Sequence, residues 1–178
     1  MYVVRQKPME LFILRHGEAG QRSPSSDRIR PLTSAGKTEI LEIARALKTI
    51  GLKFDLVVTS PLKRAYDTTM IVSEVFNIGS KVQVWNELAP EGKKTDVYHK
   101  ISQLREEFSV LIVGHQPLLG DMVNDIIHKS KSSPCNFVLK KGGVVRITLL
   151  RKSNIPKGEL KWLLTPRILK NIHKKSIK

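Results

Sequence analysis

Short apolar runs alternate along this chain with longer stretches whose apolar residues recur every three or four positions. Residues 10–14 (ELFIL), 55–59 (DLVVT), 82–85 (VQVW) and 109–113 (SVLIV) read as strands, and 136–139, 143–150 and 160–164 are three further candidates, the first two separated by Gly142-Gly143. Between them, Ile40, Ile43, Ala44, Leu47 and Ile50 mark one face of a helix that Thr33 or Ser34 caps and Gly51 stops. Ser60-Pro61 reads as the N-cap and first position of a second helix, with Leu62, Ala65, Thr69, Val72 and Phe76 turned inward. Val97, Ile101, Leu104 and Phe108, spaced four, three and four apart, predict a third helix, and Leu119, Met122, Val123 and Ile126 a fourth. Residues 19–33, rich in Ser, Pro, Gly and Arg, read as a loop.

No internal repeat, low-complexity linker or domain boundary interrupts this pattern. Near-continuously apolar strands separated by helices predict an α/β fold with a mostly parallel sheet covered on both faces. In such sheets ligands bind beyond the carboxyl ends of the strands. Arg15 and His16 follow the first strand, Ser60 to Arg64 the second, Glu87 the third and His115 the fourth, so four chemically capable positions are expected on one rim.

Composition narrows the class. The chain has 178 residues, 40% hydrophobic and 26% charged, which fits one globular domain. No apolar run approaches the roughly 20 residues that span a bilayer, the N-terminus lacks a signal-type apolar core, and Cys135 is the single cysteine, so a cytoplasmic setting without membrane association is expected. Thirty-one Lys and Arg against sixteen Asp and Glu give +15, a surface that attracts phosphorylated ligands, acidic proteins or nucleic acid. Part of the excess lies in residues 167–178, read as a basic C-terminal tail after a domain spanning 1–166; Ile168, Leu169 and Ile172 leave docking on the domain as the alternative to a solvated tail.

The rim residues suit phosphoryl transfer. Arginine binds two phosphate oxygens through a planar fork and stays charged. A neutral imidazole can attack phosphorus through one ring nitrogen while the other donates the hydrogen bond that fixes its tautomer. Arg15, His16, Arg64 and His115 supply such a set. Singly, each has an ordinary structural explanation; together, at predicted strand ends, they point to chemistry. Ser60 and Thr59 could also meet phosphate, although Ser60 reads first as a helix cap. Asp121 and Asp125 lie four apart without a third ligand and read as a solvated face, while His99, His128 and His173 read as surface residues. No metal and no cofactor is expected, and Cys135 has no recognisable base beside it.

FILRHGEA at 12–19, RPLTSAG at 30–36, VVTSPLKRAYDTT at 57–69, NELAP at 86–90 and VGHQP at 113–117 resemble, in order and spacing, the histidine phosphatase superfamily and its small SixA-like phosphohistidine phosphatase branch. The resemblance extends from residue 10 to about 166 and implies the three-layer α/β/α histidine phosphatase (phosphoglycerate mutase-like) fold. It implies His16 as the phosphoryl-accepting nucleophile, Arg15 and Arg64 as the phosphate clamp, and His115 as a second pocket histidine that donates to a phosphate oxygen. Arg30 resembles a further arginine near the pocket, with packing on the following helix as its other reading. Glu87 is the candidate general acid, with a helix-cap or loop carboxylate as its equal alternative, and Glu18 is the runner-up, although holding the active-site loop through a hydrogen bond is the favoured reading of Glu18. The expected activity is hydrolysis of phosphohistidine in a protein, for instance a phosphotransfer domain, because only residues 91–114 separate NELAP from GHQP and leave little for a lid. The alternatives are a small phosphoester substrate on the same fold, and a non-enzymatic module binding nucleic acid or another anionic partner. Aromatics at 6% and the intact Arg15, His16, Arg64 and His115 weigh against nucleic acid.

Overall fold

The protein is described here from a computed structural model, over residues 7–21, 27–128 and 137–176. Six strands form one sheet: β1 (Glu10–Arg15), β2 (Leu56–Thr59), β3 (Val82–Val84), β4 (Ser109–Gly114), β5 (Val144–Arg151) and β6 (Lys157–Leu164), in the order β3-β2-β4-β1-β5-β6. The first four run parallel; β5 joins β1 antiparallel and β6 continues that edge. Five helices cover the sheet: α1 (Ser34–Thr49), α2 (Lys63–Phe76), α3 (Lys94–Ser102), α4 (Leu118–Ile127) and α5 (Pro166–Ser176).

The two-residue period of a strand divides the core. Leu11, Ile13, Val58 and Ile112 face α3 and α4. Phe12, Leu14, Val57, Leu111 and Val113 face α1 and α2, with Leu169 of α5 in the same cluster. Both faces are therefore buried, which is why β1 and β4 read as unbroken apolar runs rather than alternating ones. The result is the three-layer α/β/α arrangement. Among the described residues no helix is long and apolar enough to cross a membrane.

Local signals behave as their chemistry dictates at the start of α1. Thr33 caps it by accepting from the Gly36 N–H at 2.9 Å. Gly36 is needed for contact rather than for conformation: a Cβ there would sit 2.2 Å from the Glu18 carbonyl oxygen. This close approach ties the helix to the segment after β1, and the Thr33 N–H reinforces it by donating to that same carbonyl at 3.0 Å.

The structure corrects the sequence reading at several points. Residues 137–140 form no strand; residue 136 and Cys135 lie outside the described residues. Leu139 is buried, but the Phe137 and Leu139 carbonyls accept from Gln116 and Arg15 side chains instead of joining the sheet. α2 begins at Lys63 rather than at Pro61, because the Ser60 hydroxyl, which accepts from the Leu62 N–H at 3.3 Å, closes a turn ahead of the helix. α3 ends at Ser102, so Leu104 and Phe108 pack on the core from the connection to β4. Residues 166–176 fold as α5 against α1: Leu169 is fully buried, Ile172 packs beside it, and Lys170 Nζ meets Glu39 Oε1 at 2.8 Å. His173 is consequently buried rather than a surface residue, whereas His99 is exposed and His128 partly so.

Candidate active site

The carboxyl ends of β1, β2 and β4 bring the site together. His16 follows β1, Arg64 lies in the first turn of α2, and His115 follows β4. All three side chains are buried, and the His16 and His115 rings stand 4.9 Å apart between centroids. His16 Nδ1 lies 2.7 Å from its neighbour's Gly17 carbonyl oxygen. A carbonyl only accepts, so Nδ1 carries the proton. Arg64 Nε donates to His16 Nε2 at 3.3 Å, and a guanidinium only donates, so Nε2 carries the lone pair. The two contacts together admit one state of the ring: neutral, protonated at Nδ1, with the Nε2 lone pair held by the Arg64 Nε–H.

Electrostatics agree. Burial, reinforced by the charges of Arg64, Arg15 and Arg30, pushes the His16 pKa from 6.5 down to about 4. Burial, the neighbouring His16 and the same three arginines push His115 down to about 3. His115 Nε2 pairs with the Ser60 hydroxyl at 2.9 Å, while its buried Nδ1 has no hydrogen-bond partner among the described residues. Ser60 therefore both shapes the turn before α2 and orients the second histidine.

Arg64 is held by Asp27. Its Nη1 donates to the Asp27 carbonyl at 2.8 Å and its Nη2 to Asp27 Oδ2 at 3.2 Å. Asp27 Oδ1 lies 2.9 Å from Arg30 Nη2, and Arg30 Nη1 donates to the Gly20 carbonyl at 3.0 Å. Arg30 thus joins the cluster through Asp27. Arg15 donates from Nη1 to the Leu139 carbonyl at 2.7 Å, and its buried Nε has no hydrogen-bond partner among the described residues. Burial lowers the Arg15 pKa, which measures the cost of keeping this charge at the end of β1.

The two carboxylate candidates stand differently. Glu87, in a short turn over Asn86–Leu88, forms an ion pair with Lys100 at 2.9 Å, and that contact holds its pKa below the usual carboxylate range. Glu18 is exposed and lines a shallow hollow with Thr38, Glu39 and Lys170; its backbone carbonyl, not its carboxylate, bonds to Thr33. Among the described residues no cluster of three or more His, Cys, Asp or Glu could hold a metal. Asp121 is exposed, and Asp125 accepts from the Tyr98 hydroxyl at 2.9 Å and pairs with Lys94 at 2.7 Å, so only Asp121 presents the solvated face expected of both.

Residues 11–90 match the model of the histidine phosphatase superfamily (branch 1). The chain is 32% identical over 164 residues to phosphohistidine phosphatase SixA of Escherichia coli, covering 91% of this chain and 97% of that one. The chain belongs to the histidine phosphatase superfamily. Within it the protein is SixA-like: it is 33% identical over 138 residues to a phosphohistidine phosphatase SixA homolog of Haemophilus influenzae, covering 72% and 82% of the two chains. The solved structure of the protein histidine phosphatase SixA complexed with tungstate superposes with a TM-score of 0.78 at 30% identity, covering 89% of this chain and 98% of that one.

This histidine phosphatase uses residues that sequence reading did not single out. Asp27 opens a short 3-10 turn (Asp27–Ile29) in a stretch whose composition gives no positional signal. Thr68 accepts from the Gly17 N–H at 3.1 Å and donates to the Arg64 carbonyl at 2.7 Å, bracing the turn after β1 against α2. Its inward position was legible from helical spacing to Ala65 and Val72; its partners were not.

The histidine environment has a measurable consequence. With folded pKa values near 4 and 3 against an ordinary 6.5, the unfolded chain binds more protons than the folded one as pH falls below about 6.5. The stability contributed by burying both rings neutral is complete above that pH and is lost progressively towards pH 4. Side-chain NMR should show His16 and His115 still neutral at pH 5, with His16 protonated at Nδ1, and the unfolding midpoint should drop between pH 7 and 4. Titration of either ring near 6.5 would refute the assignment.

Proposed function

We propose that this phosphatase hydrolyses phosphohistidine carried by a protein, through a covalent phosphoryl intermediate on His16. The observation that supports the chemistry best is the fixed neutral tautomer of His16, with Nε2 facing Arg64 and the ring beside His115. A phosphoryl group entering between them would take the Arg64 Nε–H from nitrogen to one of its oxygens, freeing the Nε2 lone pair. Arg15, through its Nε–H, and His115, as the tautomer that accepts from Ser60 at Nε2 and carries its proton at Nδ1, would bind the remaining oxygens. His16 Nε2 then attacks phosphorus; the new P–N bond forms as the substrate's P–N bond breaks, and the departing imidazole takes up a proton from solvent. Water next attacks the phosphoenzyme, the electron pair of the P–N bond returns to Nε2, and inorganic phosphate leaves.

Two features favour a protein substrate. The segment 91–114 contains only α3, its connections and β4, so no long insertion enters the chain between NELAP and GHQP. Two relatives at 30% identity or more that cover about nine tenths of this chain carry the name SixA, a phosphohistidine phosphatase, and one of them is complexed with tungstate, a tetrahedral oxyanion like phosphate.

Glu87 serves poorly as a proton donor while Lys100 keeps it ionised. Phosphoimidazole is a labile group whose leaving imidazole needs less protonation than an alkoxide. Glu87→Gln should therefore leave phosphohistidine hydrolysis within about threefold of wild type, a smaller change than the loss of an essential acid would give. A large defect on phosphohistidine would restore Glu87 as the acid.

The deciding experiment compares hydrolysis of a phosphohistidine-bearing phosphotransfer domain with a panel of small phosphoesters. Preference for the domain supports the proposal. Preference for a small ester would keep the His16 chemistry and discard the protein substrate.

A further inference from the structure

Beside Arg15 lies a groove of about 720 Å³ between the turn at residues 140–143 and the start of α5. Arg15, Lys140, Lys141, Arg167 and Lys170 line it, with Glu39 as its one carboxylate. Lys170 occupies Glu39 at 2.8 Å. Lys140, Lys141 and Arg167 are exposed and form no ion pair among the described residues. Three cations without an ion-pair partner among the described residues therefore stand next to one of the site arginines.

The groove is rigidly joined to the site. Gly142 N–H donates to the Arg15 carbonyl at 2.9 Å, the Arg15 N–H donates to the Gly143 carbonyl at 3.2 Å, and Arg15 Nη1 donates to the Leu139 carbonyl at 2.7 Å. Gly142, at φ +71°, presses against α5: a Cβ there would lie 2.7 Å from Ile43 and 3.4 Å from Pro166. α5 is in turn fixed by buried Leu169. Two lysines on a tight turn and an arginine at a helix start are thus held at set positions relative to His16. On its far side Glu18 and Glu42 flank Lys170, which confines the cationic track to the side of Lys140, Lys141 and Arg167.

We infer that this groove docks the acidic protein surface surrounding the phosphohistidine; the inference rests on the protein-substrate reading above. A small phosphoester is satisfied by Arg15, Arg64 and His115 and gains nothing from cations beyond its own length. A protein carrying the phosphoryl group on a side chain must lay its neighbouring surface over the rim, and this groove is the rim next to Arg15. Acidic side chains there would meet cations carried on an anchored backbone, which speeds encounter and sets register. No aromatic residue lines the groove, so it lacks the stacking platform of a nucleic-acid channel.

The test is the triple variant Lys140→Glu/Lys141→Glu/Arg167→Glu, assayed on a phosphohistidine-bearing phosphotransfer domain and on free phosphohistidine across a salt series. kcat/KM on the domain should fall about 10-fold or more, mainly through KM, with a flatter salt dependence, while free phosphohistidine stays within about twofold. Lys140→Ala/Lys141→Ala, a milder change to exposed side chains, should show a smaller loss of the same kind. Equal loss on both substrates, or no loss on the domain, overturns the docking role. RNA binding that the triple variant abolishes while domain turnover is untouched overturns it in favour of nucleic acid. A wild-type enzyme that ignores the domain but cleaves small phosphoesters overturns the protein-substrate reading itself, and the wild-type arm separates that failure from failure of the groove.

Discussion

His16→Ala is expected to reduce phosphatase turnover by ~10⁴-fold or more while leaving the fold intact, because in the mechanism proposed above it removes the atom that accepts the phosphoryl group. The expected selectivity follows from local structure. The ring contacts Arg64 and the Gly17 carbonyl and stacks near His115, and none of these groups is part of the apolar clusters that hold the sheet to its helices. Loss of a buried neutral ring leaves Arg64 anchored by Asp27, so the pocket should keep its charge and still bind a tetrahedral oxyanion such as tungstate. Retained oxyanion binding with abolished turnover separates a nucleophile from a structural residue. In the wild type, rapid quench with labelled substrate should trap phosphate on His16 Nε2. Turnover surviving in His16→Ala would remove the covalent route.

Much of this site could be read from the chain because its residues sit where strands end. The runs before Arg15, Ser60 and His115 are apolar on both faces, so pattern alone marked them as central parallel strands and gathered the residues at their carboxyl ends on one rim. The parts that stayed hidden depend on contacts between distant segments. Nothing in residues 19–33 says that Asp27 grips Arg64 across 37 positions. The run at 137–139 is apolar enough for a strand, yet its carbonyls are taken by Arg15 and Gln116, a use of backbone that hydrophobicity does not encode. α5 was ambiguous for a different reason: its net charge argued for solvent and its stripe of Ile168, Leu169 and Ile172 for docking. Burial of Leu169 against α1, with Ile172 beside it, outweighs the solvation of cations that point away and remain hydrated. Ile168 stays largely exposed, so the stripe is narrower than the spacing alone suggested.

Arg64→Ala should lower turnover by ~10²-fold or more, the scale expected for losing a fixed charge at a developing negative centre. Arg64→Lys should recover little of it. Arginine here performs three tasks through different nitrogens: Nη1 and Nη2 bind the Asp27 carbonyl and carboxylate, and Nε addresses His16 Nε2. A lysine ammonium is a point donor on a flexible stem and cannot hold Asp27 in a fork while pointing at the imidazole. The consequence extends to Arg30, because Asp27 is the shared partner of both guanidiniums. Without the Arg64 fork, Asp27 is left to Arg30 among the contacts described at the pocket, and the position of that second cation shifts as well. The variants are told apart by their kinetics. A defect confined to KM would make Arg64 a substrate tether only, whereas a fall in kcat with KM little changed identifies it as stabilising the transition state. Restored kcat in Arg64→Lys would show that charge alone suffices and that the Asp27 fork is structural ornament to the chemistry; persistent loss assigns the rate to the directed Nε–H beside His16.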